Sequence, residues 1–319
     1  MKEYAGKEGQ IALVSGGAGF VGSRLCDLLL QKGYKVLCFD NFSTSSRDNL
    51  AYLSAHPDFT LLEHDISKAF RQKLPPLTHI FHLASPASPV DYQRLPIETL
   101  LANSLGTYNM LDLAREHGAK FLFASSSEVY GDPRQHPQRE DYWGNINPIG
   151  VRSCYDESKR FSEALAMAFH RKYHLDVKIA RIFNTYGPGM REHDGRVIPN
   201  FITEALQGKP LTIYGDGKQT RSFCFISDLI EGIFLMMESN YKGPVNLGSP
   251  DEYTILELAQ IIKGIVGSAS ELLFVPLRQD DPQMRKPDIS KARQILGWEP
   301  RVKIEEGLKE TVKYFRLRI

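Results

Sequence analysis

The sequence predicts an α/β protein in which a doubly wound parallel sheet is joined to a smaller C-terminal lobe. Up to residue 184 the chain alternates short apolar runs with helical segments. The runs are almost continuously apolar, which is typical of parallel strands covered on both faces. After residue 184 the pattern changes to loops rich in Gly and Pro with shorter elements. We therefore expect one domain over residues 1–184, with some later segments packing back onto it, and a substrate-binding lobe over 185–319.

The expected elements alternate along the chain. The strands of the first domain are predicted at Ile11–Gly16, Tyr34–Asp40, Phe59–Asp65, Thr78–Ser85, Lys120–Ser127 and Val177–Asn184. Its helices are predicted at Val21–Lys32, Ile97–His117 and Tyr155–Tyr173, and the C-terminal lobe should contain a PLTIYG segment and helices Thr254–Val266 and Ile304–Phe315. Ligands of such sheets bind at the carboxyl ends of the strands, so we expect the active site in the cleft between the two parts.

Composition narrows the class of partner. The 319 residues carry a net charge of +1 without a basic block, which argues against nucleic acid. The chain starts without an apolar leader and has no run of about 18 apolar residues, so we expect no membrane partner and a cytoplasmic location. The cysteines form no CxxC pair and have no histidine cluster at zinc spacing. We therefore expect no metal site, and reduced thiols at Cys26, Cys38, Cys154 and Cys224.

A glycine pattern follows the first strand. Gly16, Gly19 and Gly22 form GxxGxxG between a strand and a helix. Glycines allow a tight turn and let backbone N–H groups approach a pyrophosphate at the helix N-terminus. A plain Gly-rich turn is the alternative, but the position of the motif favours a dinucleotide site in a Rossmann-like domain.

Acidic residues end the next two strands. Asp40 is placed to accept the ribose hydroxyls and to repel a 2′-phosphate, which favours NAD over NADP. Arg47 lies close enough in sequence to oppose that preference. Asp65 is expected either to contact the adenine or to cap a helix.

Tyr155 and Lys159 form YxxxK at the start of a helix, where a spacing of four places both side chains on one face. A phenol of pKa ~10 is a poor base, but a nearby ammonium and a nicotinamide ring would lower that pKa. A Tyr and a Lys on a solvated helix face are the alternative. The run Ser125–Ser127 at the end of a buried strand supplies the hydroxyl that such a pair needs.

These features together resemble the extended short-chain dehydrogenase/reductase family, and within it the UDP-glucuronate decarboxylases. The resemblance covers nearly the whole chain, and the last of its segments is the most specific. The segments are GGAGFVGS (16–23), HLASPASP (82–89), SSSEVYGDP (125–133), EDYWGNINPIG (140–150), CYDESKR (154–160), ARIFNTYGP (180–188), DGRVIPNF (194–201), YGDGKQTRSF (214–223) and DDPQMRKPDI (280–289).

The resemblance implies NAD-dependent decarboxylation of a UDP-glucuronate substrate through a 4-keto sugar, with Tyr155 as base and Glu128 or a water held by it protonating C5. It implies catalytic roles for Ser126, Glu128, Tyr155, Lys159 and Arg285. It implies NAD contacts from Gly16, Gly19, Phe20, Val21, Gly22, Asp40, Asn41, Asp65, Ile66, Leu83, Ala84, Ser85, Asn103, Tyr155 and Lys159. It implies UDP-sugar contacts from Asn184, Arg196, Tyr214, Gln219, Arg221 and Arg285.

Each role has a structural alternative. Glu128 could be an ordinary ion-pair partner, Arg285 could brace the loop around Asp280 and Asp281, Tyr214 could be core packing, and His82 is expected to be a structural hydrogen-bonder. The chain also departs from the family at Ser126, where threonine is usual, and from some members at Leu101, where they carry lysine, and in the segment 67–77, which is longer than theirs.

Sibling reactions remain open. A 4-epimerase would normally lack the glutamate after the serines, and a 4,6-dehydratase would carry Asp–Glu where this chain has Ser127–Glu128. A non-catalytic NAD-binding regulator would tend to lose Tyr155 or Lys159. The resemblance also implies a homodimer joined by a four-helix bundle, and the apolar residues of the predicted Tyr155–Tyr173 helix favour it: Phe161, Leu165, Ala168 and Phe169.

Overall fold

The computed structural model describes residues 9–277 and 282–319, and a sheet of seven parallel strands forms its centre. These strands are β1 (Ile11–Ser15), β2 (Lys35–Asp40), β3 (Phe59–Glu63), β4 (His79–His82), β5 (Lys120–Ser126), β6 (Val177–Ile182) and β11 (Gly243–Leu247). Their order across the sheet is β3-β2-β1-β4-β5-β6-β11, and every neighbouring pair is parallel. The predicted doubly wound parallel sheet is confirmed.

The helices and the short strands complete the chain. The helices are α1 (Phe20–Gln31), α2 (Pro89–Arg94), α3 (Pro96–Leu101), α4 (Thr107–His117), α5 (Ser153–Tyr173), α6 (Val197–Leu206), α7 (Ile226–Glu238), α8 (Ile255–Val266), α9 (Ser290–Leu296) and α10 (Ile304–Arg316). The short strands are β7 (Thr185–Tyr186), β8 (Leu211–Tyr214), β9 (Thr220–Ser222), β10 (Cys224–Phe225), β12 (Glu252–Thr254), β13 (Leu272–Val275) and β14 (Met284–Arg285). Within residues 9–277 and 282–319, no helix has the length and apolar character needed to span a membrane.

Apolar layers cover both faces of the central sheet. On one face, Leu25 of α1 and Ile233 of α7 belong to a buried cluster that includes Trp298. On the other face, Leu111 of α4 and Phe169 of α5 pack on the inner strands. The strands are apolar along their length because both of their faces are buried. The seventh strand, β11, was not predicted, and it pairs with β6 from a position far along the chain.

The predicted helix over Ile97–His117 corresponds to α3, a π-helical turn at Ala102–Gly106 and α4, which follow one another without a break in helical backbone. Side chains bond back to the preceding turn here: the Ser104 hydroxyl donates to the Leu100 carbonyl (2.6 Å), and the Thr107 hydroxyl to the Asn103 carbonyl (2.8 Å). Such bonds compete with the regular helical ladder, and π turns often occur at functional sites. In this turn the Asn103 side-chain amide donates a hydrogen bond to Ser85, which lies in the loop after β4.

The C-terminal lobe has its own apolar core, formed mainly by α6, α8 and α10. Its three-stranded sheet places β14 parallel to β9, with Arg285 in register with Arg221. The RKPD segment contacts the central sheet at β11, where the Asn246 side-chain amide donates to the Asp288 carbonyl at 3.1 Å. Asp280 and Asp281 of the predicted DDPQMRKPDI motif lie outside the described residues.

Candidate active site

The glycine turn between β1 and α1 is closed on one side and open on the other. Gly16 has φ +74°, and a Cβ there would lie 2.7 Å from the Ala84 backbone. A Cβ on Gly22 would lie 2.1 Å from the Gly16 carbonyl oxygen. At Gly19 a Cβ would meet only the Gly16 oxygen, at 3.2 Å, among the described residues. The N-terminus of α1 is therefore accessible at Gly19, and the turn fits a dinucleotide pyrophosphate.

Asp40 at the end of β2 is fixed beside this turn. One carboxylate oxygen accepts a hydrogen bond from the Ala18 amide (2.9 Å), and the other accepts from the Phe42 amide (2.9 Å) and the Ser45 hydroxyl (2.7 Å). These bonds hold a negative group at the position where a parallel α/β sheet binds a ribose. The arrangement fits an adenosine with free hydroxyls better than one with a 2′-phosphate.

The neighbouring polar residues have local partners. Arg47, the residue that could oppose the preference for NAD over NADP, forms an ion pair with Glu63. Asp65 accepts hydrogen bonds from the backbone amide (3.0 Å) and the hydroxyl (2.7 Å) of Ser67, so it caps the turn after β3. The Asn41 side chain accepts from a backbone amide two residues on. In this geometry Asp65 follows the capping alternative, and its adenine contact stays a prediction.

The other residues assigned to NAD fall into two groups. Val21, Leu83 and Ser85 line the main cavity. Asn103 does not line it, but its side-chain amide donates to the Ser85 hydroxyl at 2.8 Å. Ile66 is buried in the sheet core, and Phe20 packs between two apolar clusters.

One cavity at the carboxyl ends of the strands brings the predicted catalytic and substrate residues together. Its wall includes Ser126, Glu128, Tyr155, Lys159, Asn184, Arg196, Tyr214, Gln219 and Arg221. The C-terminal members are held by local bonds: Arg196 pairs with Asp194, and the Gln219 side chain donates to the Tyr214 carbonyl at 2.6 Å. Within the described chain, the wall does not include Gly16, Gly19, Phe20, Gly22, Asp40, Asn41, Asp65, Ile66, Ala84, Asn103 or Arg285.

Tyr155 and Lys159 lie side by side in the wall, and burial shifts the pKa values of both groups. Burial raises the pKa of Tyr155 to about 12, and the Ser126 hydroxyl beside it offsets only part of this effect. Burial also lowers the pKa of Lys159 to about 7, against the pull of Glu163. The Lys159 amine donates to the Ala124 carbonyl at 2.8 Å. The expected depression of the Tyr155 pKa, by Lys159 together with a nicotinamide ring, stays a prediction, and in the protein by itself desolvation dominates the pKa values of both groups.

Glu128 is an ionised group between two arginines. The Ser126 hydroxyl caps the turn Ser127–Tyr130 by accepting from the Glu128 amide at 3.2 Å. The Glu128 carboxylate is 2.5 Å from an Arg152 nitrogen and 3.0 Å from an Arg285 nitrogen. Burial alone would raise the pKa of Glu128, but Arg285 and Arg152 hold it at about 2. Glu128 thus carries no proton to donate near neutral pH, which leaves the alternative that it orients a water.

Arg285 lies behind Glu128 and is only 1% exposed. Its guanidinium donates to the Ser127 hydroxyl (2.9 Å) and the Gly131 carbonyl (2.7 Å), in addition to its ion pair with Glu128. Its nitrogens therefore brace the turn that carries Glu128. The geometry offers this bracing role more directly than the expected contact with a substrate carboxylate.

Sequence reasoning missed three residues around this turn. Arg152 and Tyr92 line the cavity, and the Tyr92 ring stacks on Tyr155 with centroids 5.1 Å apart and planes 12° apart. Asp156 is buried on α5, 3.9 Å from Arg152. Arg152 and Asp156 have the i, i+4 spacing of a helical ion pair, which was the one signal that could have revealed them.

His82 is a structural hydrogen-bonder in this geometry. Its ring nitrogens lie 2.8 Å from the Ser15 hydroxyl and 3.0 Å from the Thr107 hydroxyl, and the ring is fully buried. Burial, with a contribution from Lys159, lowers the pKa of His82 to about 3. The ring is therefore neutral and ties β1 and β4 to the start of α4.

Known proteins resemble the chain over nearly its whole length. The sequence model of the GDP-mannose 4,6 dehydratase family matches residues 13–311. UDP-glucuronic acid decarboxylase 2 of Arabidopsis thaliana is 52% identical, over 98% of this chain and 70% of the relative. UDP-glucuronic acid decarboxylase 1 of Danio rerio is 51% identical, over 99% of this chain and 75% of the relative.

A solved structure is also similar. The UDP-glucuronic acid 4-epimerase of Bacillus cereus, in complex with UDP-glucuronic acid and NAD, superimposes with a TM-score of 0.86 at 29% identity. The match covers 97% of this chain and all of the epimerase chain. The chain belongs to the extended short-chain dehydrogenase/reductase family and, within it, to the UDP-glucuronic acid decarboxylases.

Proposed function

We propose that this chain converts UDP-glucuronate to UDP-xylose and CO₂ through a 4-keto sugar, with NAD as a cofactor that is regenerated in each cycle. The proposal rests mainly on which side chains meet in the wall of the cavity. There the Tyr155 and Ser126 hydroxyls lie beside an ionised Glu128 that is paired with Arg152. The sequence identities of 52% and 51% to UDP-glucuronic acid decarboxylases of Arabidopsis thaliana and Danio rerio support the same activity.

The glycine turn and Asp40 would hold NAD, which supplies a hydride acceptor and donor at C4 of the sugar. Tyr155 takes the proton of the 4-hydroxyl and later returns it. Its raised pKa implies that it needs a further positive charge nearby to act as a base, and a nicotinamidium ring has that charge. Ser126 donates a hydrogen bond to the oxygen at C4.

Loss of CO₂ follows from the chemistry of the ketone. The 4-keto acid is a β-keto acid, so the electrons of the C5–carboxyl bond pass into an enolate. Tyr155 and Ser126 stabilise the enolate oxygen. Glu128, held ionised by Arg285 and Arg152, orients the water that protonates C5.

The UDP portion is assigned to the C-terminal wall of the cavity. Guanidinium groups suit phosphate oxygens because their planar donors can bind two oxygens at once. The residues proposed for this role are Asn184, Arg196, Tyr214, Gln219 and Arg221, and all of them line the cavity.

The test is incubation of the purified protein with UDP-glucuronate and NAD, followed by NMR of the product. We expect UDP-xylose, and the Tyr155→Phe variant is the matched control. Accumulation of the 4-epimer of UDP-glucuronate without CO₂ would instead show a sibling epimerase.

We also propose a homodimer, in which two helical segments, the one that runs from α3 to α4 and α5, pair with the same two segments of a second copy as a four-helix bundle. Apolar side chains on these helices support it: Ile97 is 62% exposed and Phe161 is 51% exposed. Phe169 does not contribute, because it is buried in the protein's own core. Sedimentation at micromolar concentration tests this assembly, and a monomeric mass would refute it.

A cytoplasmic location is part of the proposal. The four cysteines, all buried and free, support a reducing compartment. Fractionation of the source cells tests the location.

A further inference from the structure

Asp156 is a buried carboxyl group that the proposed chemistry does not use. It follows Tyr155 on α5 and is 6% exposed. Its Oδ1 atom is buried and has no hydrogen-bond partner among the described residues. Its Oδ2 atom is 3.9 Å from the Arg152 Nε atom, too far for a direct hydrogen bond. An ionised carboxylate in this position would be poorly compensated.

Asp156 and Glu128 lie against the same guanidinium. Arg152 is 2.5 Å from Glu128 and 3.9 Å from Asp156, so Glu128 has the close ion pair. The charged and titratable groups that act on Asp156 belong to α5 itself and to three other parts of the chain. On and just before α5 they are Arg152, Cys154, Tyr155 and Glu157. From elsewhere they are Tyr92 on α2, Glu128 in the turn after β5 and Arg285 on β14.

The protons are divided unequally between the two carboxyl groups. Burial, and then the charge of Glu128, raise the pKa of Asp156 to about 8, although Arg152 and Arg285 oppose the shift. The same arginines hold the pKa of Glu128 at about 2. Near neutral pH, Glu128 is therefore the charged member and Asp156 the protonated member of the pair.

A substrate carboxylate adds a negative charge to the one that Glu128 carries in this region. Added negative charge favours protonation of a neighbouring carboxyl group, and Asp156 is easier to protonate than Glu128. Decarboxylation also has a fixed proton demand. The C5–carboxyl bond breaks, its electron pair stays on the sugar, CO₂ leaves, and C5 forms a bond to one proton that must come from solvent.

We propose that Asp156 must be protonated for UDP-glucuronate to bind, so that in alkaline solution it takes up a proton together with the substrate and keeps it until CO₂ has left. The inference rests on the proposed function, since it requires a substrate that carries a carboxylate. In alkaline solution one proton from solvent enters Asp156 with the substrate and returns to solvent when product leaves, whereas the separate proton that C5 gains as CO₂ departs is consumed by the reaction. Asp156 does not line the cavity, whereas Glu128 and Arg152 do. It would therefore hold the proton behind these two residues, without touching the substrate.

Calorimetry of ligand binding tests the proposal. NAD-loaded Tyr155→Phe protein, whose turnover should be slower by about 10²-fold or more, is titrated with UDP-glucuronate at about pH 8.5 in buffers of different ionisation enthalpy. With the Asp156 pKa at about 8, roughly three quarters of a proton should be taken up. The Kd should rise with pH, at most about tenfold for each pH unit. UDP-xylose, which has no carboxylate, should take up almost none.

The decisive variant is Asp156→Asn, made in the same Tyr155→Phe background, because an amide mimics the protonated carboxyl group. We expect it to bind UDP-glucuronate without proton uptake, while Glu310→Gln, a change at an exposed residue of α10, takes up as much as the parent. Uptake that persists in Asp156→Asn overturns the proposal. If that variant does not fold, equal uptake with UDP-glucuronate and UDP-xylose in the parent overturns it instead. Failure of the proposed function would look different, since the unmodified protein would then form no UDP-xylose.

Discussion

Replacing Glu128 with glutamine should destabilise the fold by an amount that the structure allows us to work out. The change removes the charge between Arg152 and Arg285 but keeps the shape of the side chain. Arg285 is 1% exposed, so its guanidinium would lose the carboxylate that neutralises it. The ion pairs lower the pKa of Glu128 from 4.5 to about 2. At about 1.4 kcal/mol for each tenfold change in the proton equilibrium, this corresponds to about 3 kcal/mol.

The pH dependence of this stabilisation has a definite sign. Glu128 has a depressed pKa in the folded protein, so its contribution is present above 4.5 and is lost as the pH falls through about 2. The difference between the parent and Glu128→Gln should therefore persist at pH 4. For a chain of this length, about 3 kcal/mol corresponds to a fall in Tm of roughly 5 °C.

Thermal unfolding followed by circular dichroism, at pH 7 and pH 4, measures the effect. Glu157→Gln is the matched control, because Glu157 makes an exposed ion pair with Arg160 at 3.5 Å, and such pairs contribute about 0–1 kcal/mol. If Glu128→Gln unfolds at the same temperature as this control, the two arginines do not depend on Glu128 for charge compensation, and our account of the turn is refuted.

Three further predictions concern the chemistry. Tyr155→Phe should lower kcat by about 10²–10⁴-fold, since it removes the general base, and near-normal turnover would rule out that role. In a single turnover of NAD-loaded protein, Glu128→Gln and Arg285→His should accumulate NADH absorbance at 340 nm, because Glu128 and Arg285 act after the sugar is oxidised. If either variant binds UDP-glucuronate but forms no NADH, the replaced residue belongs to the oxidation step. Cofactor-free protein should bind NAD more tightly than NADP, because Asp40 is fixed beside the glycine turn. Asp40→Ala should reduce the difference between the two affinities. Equal affinities of the parent for NAD and NADP would contradict the role given to Asp40.

The sequence by itself determined the features that depend on local pattern. Apolar runs predict strands because both faces of a parallel sheet are buried, and six of the seven strands of the central sheet were predicted in this way. The glycine turn, the serines that end β5 and the YxxxK spacing each lie within a few residues, so they can be recognised without the fold. Family resemblance added the substrate and the identity of the distant segments.

Only the tertiary structure decided what lies around Glu128. Arg285 comes from a strand 157 residues further along the chain and reaches the Glu128 turn through the pairing of β14 with β9. No local periodicity encodes such a contact. The burial of Asp156, the stacking of Tyr92 on Tyr155 and the raised pKa of Tyr155 depend likewise on groups from several elements. Desolvation is a property of the packed environment, and so the charge states of this site could not be derived from residue types and spacing.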